Sequence, residues 1–296
     1  MKLTLSQLIE LFSEFLKNCY APNTAVSYLR DIRDFHRFII DYLGVDSPRI
    51  NQLDRLSVRH YIARLHLDGK KSSTINRRIA SLNCFFEFLR RRQIIPKNPL
   101  HGIPRPKKKQ GLPPFIGEKK LGRLLDELPA GTPSEKRDRA IMELFYGGGI
   151  RLAELIALKV QDFEGGSFLR VMGKGSKERL IPLGSRAVNA LQDYLKSRET
   201  ISARIKSQVL FINSRGSPLD KRYVQREVKS LLSGIRSDLS PHILRHAFAT
   251  HMMRNGADLR AIQELLGHQN LTATQIYTHF CPQDLKEIFS RTHPRA

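Results

Sequence analysis

Apolar residues recur at helical spacing through the first hundred residues of the chain. The opening stretch, MKLTLSQLIELFSEF, places Glu10 and Glu14 among apolar positions, which predicts an amphipathic helix and argues against a signal peptide. A second helix is predicted to begin at a cap formed by Asn23 or Thr24 and to end at Gly44. The first part of the chain is therefore expected to be helical.

Two helices in this part separate an apolar face from a basic one. The apolar positions are Tyr28, Ile32, Phe35, Ile39 and Tyr42 in the second helix, and Ile75, Ile79, Leu82, Phe86 and Leu89 in a helix that follows Ser73 and Thr74. Arg30, Arg33 and Arg37 lie on the opposite face of the former helix, and the latter ends in Arg90, Arg91 and Arg92. Arg77 and Arg78 of the latter helix are further candidates for DNA contact. A solvated basic face is the commoner explanation for a single helix. Its recurrence within a strongly basic region favours contacts to nucleic-acid phosphates.

A domain boundary is predicted at residues 101–116, HGIPRPKKKQGLPPFI, because four prolines and two glycines disfavour a packed element. Three consecutive lysines lie within it: Lys107, Lys108 and Lys109. A basic, extended linker of this kind can follow a DNA backbone between two domains. The predicted organisation is a helical domain over 1–100, this linker, and a second domain over 117–296.

The pattern changes in the second domain, which is predicted to be mixed. Residues 135–160 have helical spacing, and two short strands are expected at 168–172 and 179–183 around a glycine-containing turn. A third strand is predicted at 208–212, with helices from there to the end of the chain. The fold class is therefore mainly α with a small antiparallel sheet.

Charge narrows the range of partners. The formal net charge is +22, and residues 1–109 hold 21 basic against 9 acidic side chains, so both parts of the chain are basic. A membrane surface or the ribosome could attract this charge alone, but charge and length together favour nucleic acid. No stretch approaches the roughly 18 apolar residues of a membrane helix, which predicts a cytoplasmic protein. The three cysteines, at 19, 84 and 281, are widely spaced and are expected to be buried free thiols.

The segment from Ser240 to His246 has the features of a helix start that binds phosphate. Ser240 suits the N-cap, and Pro241 suits the first helical position. His242 and Arg245 then share a face in the first turns, where free N–H groups attract an anion and an arginine can bind two of its oxygens. A plain structural helix is one alternative. A zinc pair of His242 and His246 is another, but no Glu-x-x-His pattern accompanies it.

Three further segments carry candidate polar residues. Arg151 and Glu154 follow a run of glycines, Lys174 lies in a Gly-flanked turn, and His268 and Tyr277 lie near the end of the chain. The lysine turn is not a P-loop, because a glycine follows the lysine where Ser or Thr is required. Taken singly, these residues are explained as well by a surface ion pair, a solvated turn lysine and an ordinary tyrosine.

Together the segments resemble the tyrosine recombinase (integrase) family, specifically the Xer-type recombinases that resolve chromosome dimers. The resemblance spans nearly the whole chain, and its sharpest parts are VMGKGSKERLIPLG, SPHILRHAFATHM and LLGHQNLTATQIYTHF, with a similar closing HPRA. Two departures stand out: Ala153 where the family often has Ser, and Gly147–Gly149 where Ala-Thr-Gly is usual. Neither departure replaces a reacting group.

The resemblance implies a catalytic role for six residues: Arg151, Lys174, His242, Arg245, His268 and Tyr277. Tyr277 would attack a DNA phosphate and form a 3′-phosphotyrosine, with Glu154 supporting the set. No cofactor, metal ion or ATP is implied. The implied fold is a two-domain clamp around DNA, with a helical core-binding domain and an α-rich catalytic domain.

The implied partners are double-stranded DNA with a specific recombination site, like or related protomers in a tetrameric synapse, and as a further candidate a cell-division DNA translocase; no membrane is involved. A phage, integron or transposon integrase is the alternative function within the family. A type IB topoisomerase and a non-catalytic DNA-binding protein are the alternatives outside it.

The end of the chain predicts one more contact. Leu285, Ile288 and Phe289 form an apolar face on a short helix after Pro282. The resemblance suggests that this helix docks on a neighbouring protomer, and packing on its own domain is the alternative.

Overall fold

The computed structural model describes most of the chain and divides it into two compact units. The described residues are 3–107, 115–163, 166–173, 178–202, 207–236, 239–267 and 281–296, without the side chains of 201 and 202. The units are Met1–Leu112 and Pro113–Ala296. None of the helices in the described ranges is both long and apolar enough to cross a lipid bilayer.

The described part of the N-terminal unit contains four α-helices: α1 (Leu5–Cys19), α2 (Pro22–Leu43), α3 (Arg55–Leu67) and α4 (Ser72–Arg91). The cap predicted for α2 at Asn23 or Thr24 is wrong. Its N-cap is Ala21, because Pro22 takes the first helical position, where a missing N–H breaks no helical hydrogen bond. The helix ends as predicted at Gly44, whose φ of +65° suits glycine.

The predicted apolar faces of α2 and α4 meet in the core of this unit. The buried side chains are Ile32, Phe35 and Ile39 from α2, and Ile75, Ile79, Leu82, Phe86 and Leu89 from α4. Tyr42 departs from the prediction, because it is 40% exposed in the last turn of α2 and shares a 2.8 Å hydrogen bond with His60. The helix α3, which the sequence pattern does not single out, closes the core with Val58, Tyr61 and Leu65.

The described part of the C-terminal unit contains eight α-helices and two strands. They are α5 (Glu118–Asp126), α6 (Pro133–Gly147), α7 (Leu152–Ala157), β1 (Phe168–Met172), β2 (Glu178–Pro182), α8 (Ser185–Ser202), α9 (Lys221–Leu231), α10 (Pro241–Arg254), α11 (Leu259–Leu266) and α12 (Pro282–Thr292). The prediction of one helical stretch over 135–160 is wrong. The chain leaves α6 at Gly148, and Gly149, with a φ of +57°, turns it into α7.

The two predicted strands of the hairpin are confirmed, and the third is wrong. β1 and β2 pair antiparallel, with Phe168 opposite Pro182 and Met172 opposite Glu178. Residues 208–212 form isolated bridges instead of a strand in this sheet. Side chains of α8 form hydrogen bonds with the backbone of this segment. Tyr194 and Arg198 both donate to the Leu210 carbonyl, at 3.1 and 3.0 Å.

Helix α6 is the centre of the C-terminal unit. Every residue from 140 to 150 is buried, which is expected of a helix covered on all sides. Its neighbours include α8 and α10. The turn at Gly149, which carries the chain from α6 to the first candidate site residue, is therefore held in a packed core.

The last helix packs on its own unit. Leu285 and Phe289 of α12 are 7% and 2% exposed, and the Phe289 ring stacks on His293 with centroids 4.7 Å apart. Beyond the helix, Arg295 is buried and makes ion pairs with Glu143 and Asp126, at 2.6 and 3.0 Å. In the structure, α12 therefore packs on its own domain, which was the alternative that the sequence left open. Docking of this helix on a neighbouring protomer stays a prediction.

The cysteines are free, but the prediction that all three are buried is wrong. Cys19 and Cys281 are exposed, and Cys84 is half-buried. Cys19 is the last residue of α1, and Cys281 immediately precedes α12, so both lie at helix ends near solvent.

Candidate active site

The first part of the site is the turn that joins α6 to α7. Arg151 is the N-cap of α7, and its amide donates to Glu154 Oε2 at 2.8 Å. Its side chain donates from Nη1 to Glu154 Oε1, also at 2.8 Å. Glu154 is only 6% exposed, so this pair is not the surface ion pair that the spacing alone allows. Both the backbone and the side chain of Arg151 are fixed by one buried carboxylate.

A second arginine binds the same carboxylate from the hairpin. Arg179, in β2, donates from Nη1 to Glu154 Oε1 at 3.0 Å and from Nη2 to Oε2 at 2.8 Å. Its Nε donates to the Leu265 carbonyl at 3.2 Å. Burial by itself would raise the pKa of Glu154, but hydrogen bonds from Arg179 and Arg151 and their positive charge outweigh it and lower the pKa to about 2. Glu154 is therefore ionised at neutral pH.

The third arginine comes from α10. Arg245 is 7% exposed and donates to two carbonyls, those of Gly149 and Leu266, the latter at 2.6 Å. Burial and the nearby charge of Arg151 lower its pKa to about 10, still well above neutral pH. Carbonyl oxygens solvate the guanidinium without cancelling its charge.

The cluster therefore has more positive than negative charge. Among the described residues of this group there are three guanidinium groups and one carboxylate: Arg151 and Arg179 donate to Glu154, whereas Arg245 donates to backbone carbonyls. Arg151 is the most open of the three, with a side chain that is 35% exposed. A partly exposed cluster with excess positive charge and planar donors is suited to binding the oxygens of a phosphate.

His242 lies next to this cluster in sequence and is exposed in the first turn of α10. Ser240 occupies the predicted N-cap position, but its side chain makes no cap hydrogen bond. Three predicted site residues, Lys174, His268 and Tyr277, lie outside the described residues. Their roles stay predictions.

The chain enters the segment of His268 and Tyr277 from a fixed point. Helix α11 ends at Gly267, which has a φ of +63° and closes the helix as predicted. Arg151 Nη2 donates to the Gly267 carbonyl at 3.1 Å. Gly267, the last described residue before that segment, is thus bound directly by Arg151, a residue that is predicted to bind phosphate.

Among the described residues of the cluster, Arg179 is not identified by any of the sequence motifs. A signal was available in the alternation of β2, since Arg179 lies two residues before the buried Ile181 and so shares its inward face. A charged residue on a core-facing position needs a charged partner. The sequence does not show that the partner is Glu154, 25 positions away.

The residues predicted to bind DNA in the N-terminal unit fall into two groups. Arg30 and Arg33 are exposed on α2, and Arg37 is exposed with an ion pair to Asp34 at 3.0 Å. These three border a groove of about 700 Å³ between α1 and α2. Their contact with DNA stays a prediction that their exposure allows.

Arg77 and Arg78 differ from that group because they point into the unit. Arg77 is paired with the buried Asp31, and Arg78 with Asp34 and with the Tyr61 hydroxyl at 2.9 Å. These pairs tie α4 to α2, which weighs against a DNA contact, above all for Arg78 with its side chain 16% exposed. In the predicted linker, Lys107 is exposed, and Lys108 and Lys109 lie outside the described residues.

The similarity of this sequence to known proteins extends over nearly the whole chain. Residues 114–283 match the phage integrase family, and residues 9–93 match the phage integrase N-terminal SAM-like domain. The chain is 43% identical to the tyrosine recombinase XerC of Pelobacter propionicus, over 93% of this chain and 91% of that protein. It is 38% identical to the tyrosine recombinase XerD of Listeria monocytogenes, over 99% and 100%.

Solved structures agree on the fold. The integrase of transposon Tn1549 in complex with circular intermediate DNA has a TM-score of 0.70 at 21% identity, covering 96% of this chain and 98% of that one. The XerH site-specific recombinase bound to difH substrate has a TM-score of 0.69 at 24% identity, covering 97% and 84%. Family matches over both units and relatives at up to 43% identity lead to one conclusion: the chain belongs to the phage integrase family and is a site-specific tyrosine recombinase.

Proposed function

We propose that Tyr277 is the nucleophile of this recombinase and that strand exchange proceeds through a 3′-phosphotyrosine. The observation that supports this most is the arginine cluster with excess positive charge, because it includes the Gly267 carbonyl, ten residues before Tyr277. In the reaction, the Tyr277 oxygen forms a bond to phosphorus while the bond from phosphorus to the 5′-oxygen breaks. The phosphodiester is conserved as a phosphotyrosine ester, so ATP is not needed.

The proposed roles follow from what each side chain can donate. Arg151 and Arg245 bind the non-bridging oxygens, where negative charge grows in the transition state, and thereby supply the charge that a metal ion provides in other nucleases. Lys174 gives a proton to the leaving 5′-oxygen. His242 assists removal of the tyrosine proton, and His268 donates to the phosphate. Glu154 holds Arg151 in place.

We further propose that the substrate is duplex DNA carrying a specific recombination site, and that the biological task is the resolution of chromosome dimers in the cytoplasm. Support comes from relatives named XerC and XerD, at 36–43% identity over at least 93% of this chain. In this proposal residues 1–100 form the DNA-holding core-binding domain, 101–116 a basic linker, and 117–296 the catalytic domain. Four protomers form the synapse, and a DNA translocase is a candidate partner.

An integrase of a mobile element is the second candidate function. The match of residues 114–283 to the phage integrase family is the observation that supports it. Assays on supercoiled plasmids with no, one or two copies of the target site separate both of these recombinases from a type IB topoisomerase. A recombinase exchanges strands between two sites, whereas a type IB topoisomerase relaxes a plasmid that carries no site.

The decisive test is a Tyr277→Phe variant, which removes only the attacking oxygen. Cells making either protein are lysed in denaturant, covalently bound DNA is captured and sequenced, and the recovered site is then used as a nicked oligonucleotide. Tyr277→Phe is expected to bind this DNA normally and to form no denaturant-stable adduct. The matched control is Tyr223→Phe. The Tyr223 hydroxyl accepts a hydrogen bond from Arg137 in the same unit and has no proposed catalytic role. An adduct in Tyr277→Phe would refute the proposal.

A further inference from the structure

Arg179 uses all of its donor nitrogens within the site. Both η nitrogens bind the two oxygens of Glu154, and Nε binds the Leu265 carbonyl. The side chain is 14% exposed and the carboxylate 6%, so water competes weakly for these hydrogen bonds. Two parallel hydrogen bonds between a guanidinium and a carboxylate fix orientation as well as distance, which a lysine cannot do.

Glu154 receives four hydrogen bonds, half of them from Arg179. Oε1 accepts from Arg151 Nη1 and Arg179 Nη1, and Oε2 accepts from the Arg151 amide and Arg179 Nη2. A carboxylate held on both oxygens cannot rotate. Without Arg179, the orientation of the Glu154 carboxylate would depend on Arg151 alone. Arg151 is the residue that this carboxylate has to hold in place.

The other end of Arg179 reaches the exit of α11. Three consecutive carbonyls there, at the open end of the helix, accept from three different arginines: Leu265 from Arg179, Leu266 from Arg245, and Gly267 from Arg151. A Cβ on Gly267 would lie 3.2 Å from Arg179 Cζ, so the guanidinium packs directly against the last residue before segment 268–280.

We propose that Arg179 is a positioning residue for DNA cleavage: through Glu154 it sets the phosphate-binding side chain of Arg151, and through Leu265 and Gly267 it sets the origin of the segment that carries His268 and Tyr277. One side chain thereby couples the pocket for the phosphate to the chain that brings the nucleophile. The inference rests on the proposed roles of Arg151 and Tyr277. Among the described residues, the charged groups facing Glu154 are Arg151 at the start of α7, Arg179 in β2 and Arg245 in α10.

The test compares rates of single-turnover cleavage at saturating DNA with affinities for the same DNA. Arg179→Lys keeps the charge but loses the double hydrogen bond and the Nε donor. We expect its cleavage rate to fall roughly 10- to 100-fold, as for other residues that orient a reacting group, while Kd changes by less than about threefold. Wild-type cleavage rate with Arg179→Lys would overturn the inference.

The pH profile separates positioning from a merely structural role. In Arg179→Met the buried Glu154 keeps only the Arg151 donors, so its pKa rises, and the acidic limb of the cleavage profile should move to higher pH. In a Glu154→Gln background the same change should cause no pH shift and a smaller loss than in the wild type, because only the Leu265 hydrogen bond and the Gly267 contact remain to be lost. Fully additive losses in this double-mutant cycle would contradict the proposal.

A matched buried arginine controls for stability. Arg198 is 7% exposed, lies in the same unit, and donates to the carbonyls of Ser207, Val209 and Leu210, away from Glu154. Arg198→Lys is expected to lower Tm without moving the pH profile. If Arg179→Met and Arg198→Lys lower Tm equally and leave identical pH profiles, Arg179 is structural. If Tyr277→Phe still forms the covalent adduct, the proposed function itself fails, whatever Arg179 does.

Discussion

At the scale of single residues, the site depends on a buried arginine that is bound by no carboxylate within the described part of the chain. Arg245 is 7% exposed and is bound by the Gly149 and Leu266 carbonyls. Burying a cation against neutral groups is unfavourable, and the lowered pKa of Arg245 expresses that cost. A phosphate would supply the missing negative charge, so the pocket is arranged in advance for the ligand that it is proposed to bind.

A second residue-scale feature is a histidine held neutral near the end of the chain. His293 is 5% exposed, its Nε2–H donates to the Tyr146 carbonyl at 3.2 Å, and its Nδ1 accepts from the Arg295 amide at 3.1 Å. Both nitrogens are thus used by the neutral ring. Burial lowers the pKa of His293 to about 3. His251, whose pKa burial also lowers, is bound in the same neutral form by Tyr146 and Ile116.

This histidine predicts that the protein loses stability in mild acid. Between pH 6.5 and 3 the unfolded chain binds a proton that the folded chain cannot, so stability falls as pH falls through that window. From pH 7 to 5 the loss from His293 should be about 1–2 kcal/mol. Urea unfolding at both pH values should show a smaller loss for His293→Phe than for the wild type. The exposed His246, replaced by Phe, is the control, and equal losses in all three proteins would refute the prediction.

At the scale of elements, the glycine between α6 and α7 is required twice. Gly149 has a φ of +57°, and a Cβ there would lie 2.8 Å from Phe248 and 3.0 Å from Leu266. Its carbonyl also accepts from Arg245. Because α10 and α11 approach this turn closely, the guanidinium of Arg245 can bind both the turn and the end of α11.

Gly149→Ala is therefore expected to destabilise the protein by roughly 2–4 kcal/mol, from backbone strain and overpacking together. Gly256→Ala is the matched control, because Gly256 also has a positive φ, +89°, but nothing lies within 4 Å of its Cβ position. That variant should lose roughly 1–2 kcal/mol, from strain alone. Chemical denaturation measures both. Equal losses would mean that the tight packing around Gly149 contributes nothing.

The elements show which parts of the fold the sequence could predict. The amphipathic faces of α2 and α4 and the β1–β2 hairpin follow from local periodicity, and the structure has them. The segment 208–212 also has the pattern of a strand, but its backbone forms only isolated bridges, and two of its carbonyls accept hydrogen bonds from the side chain of Arg198 in α8. No local pattern reveals which distant group will bind a carbonyl, so that prediction failed.

The candidate site was predictable to the same extent. Arg151, Glu154 and Arg245 were identified from their motifs, and the structure brings them into one hydrogen-bonded cluster. Arg179 was missed, because its importance lies in a contact with a residue of another element. Motifs name the residues of a site, whereas the contacts that orient those residues emerge only from the packed fold.

At the scale of the whole molecule, positive charge is spread over both units. The net charge is +22, and basic residues exceed acidic ones on each side of the predicted linker. A protein that contacts phosphates with both parts should release many counterions when it binds. Its log affinity for DNA should then fall linearly with log salt, by about 0.9 for each phosphate that is neutralised.

The full-length variant Arg30→Ala/Arg33→Ala tests how many of the phosphate contacts the N-terminal unit makes. If both side chains neutralise phosphates, the slope should become shallower by about 2, with less change in specificity between sites. The control is Arg64→Ala, which removes an exposed arginine already paired with Asp68 at 3.1 Å. Fluorescence anisotropy over a range of salt concentrations measures all three slopes. An unchanged slope in the double variant would exclude these arginines from the interface.

The arginine cluster also has a consequence for how the protein is made. Arg151 and Glu154 leave the ribosome first, while Arg245 and the carbonyls of α11 follow more than 90 residues later. At about 5–20 residues per second, that interval is on the order of 5–20 s. During this time a nascent chain has one half of the phosphate pocket and none of the segment that carries Tyr277. If Tyr277 is the nucleophile, as proposed, the unfinished protein cannot cleave DNA, although its N-terminal helices are already made.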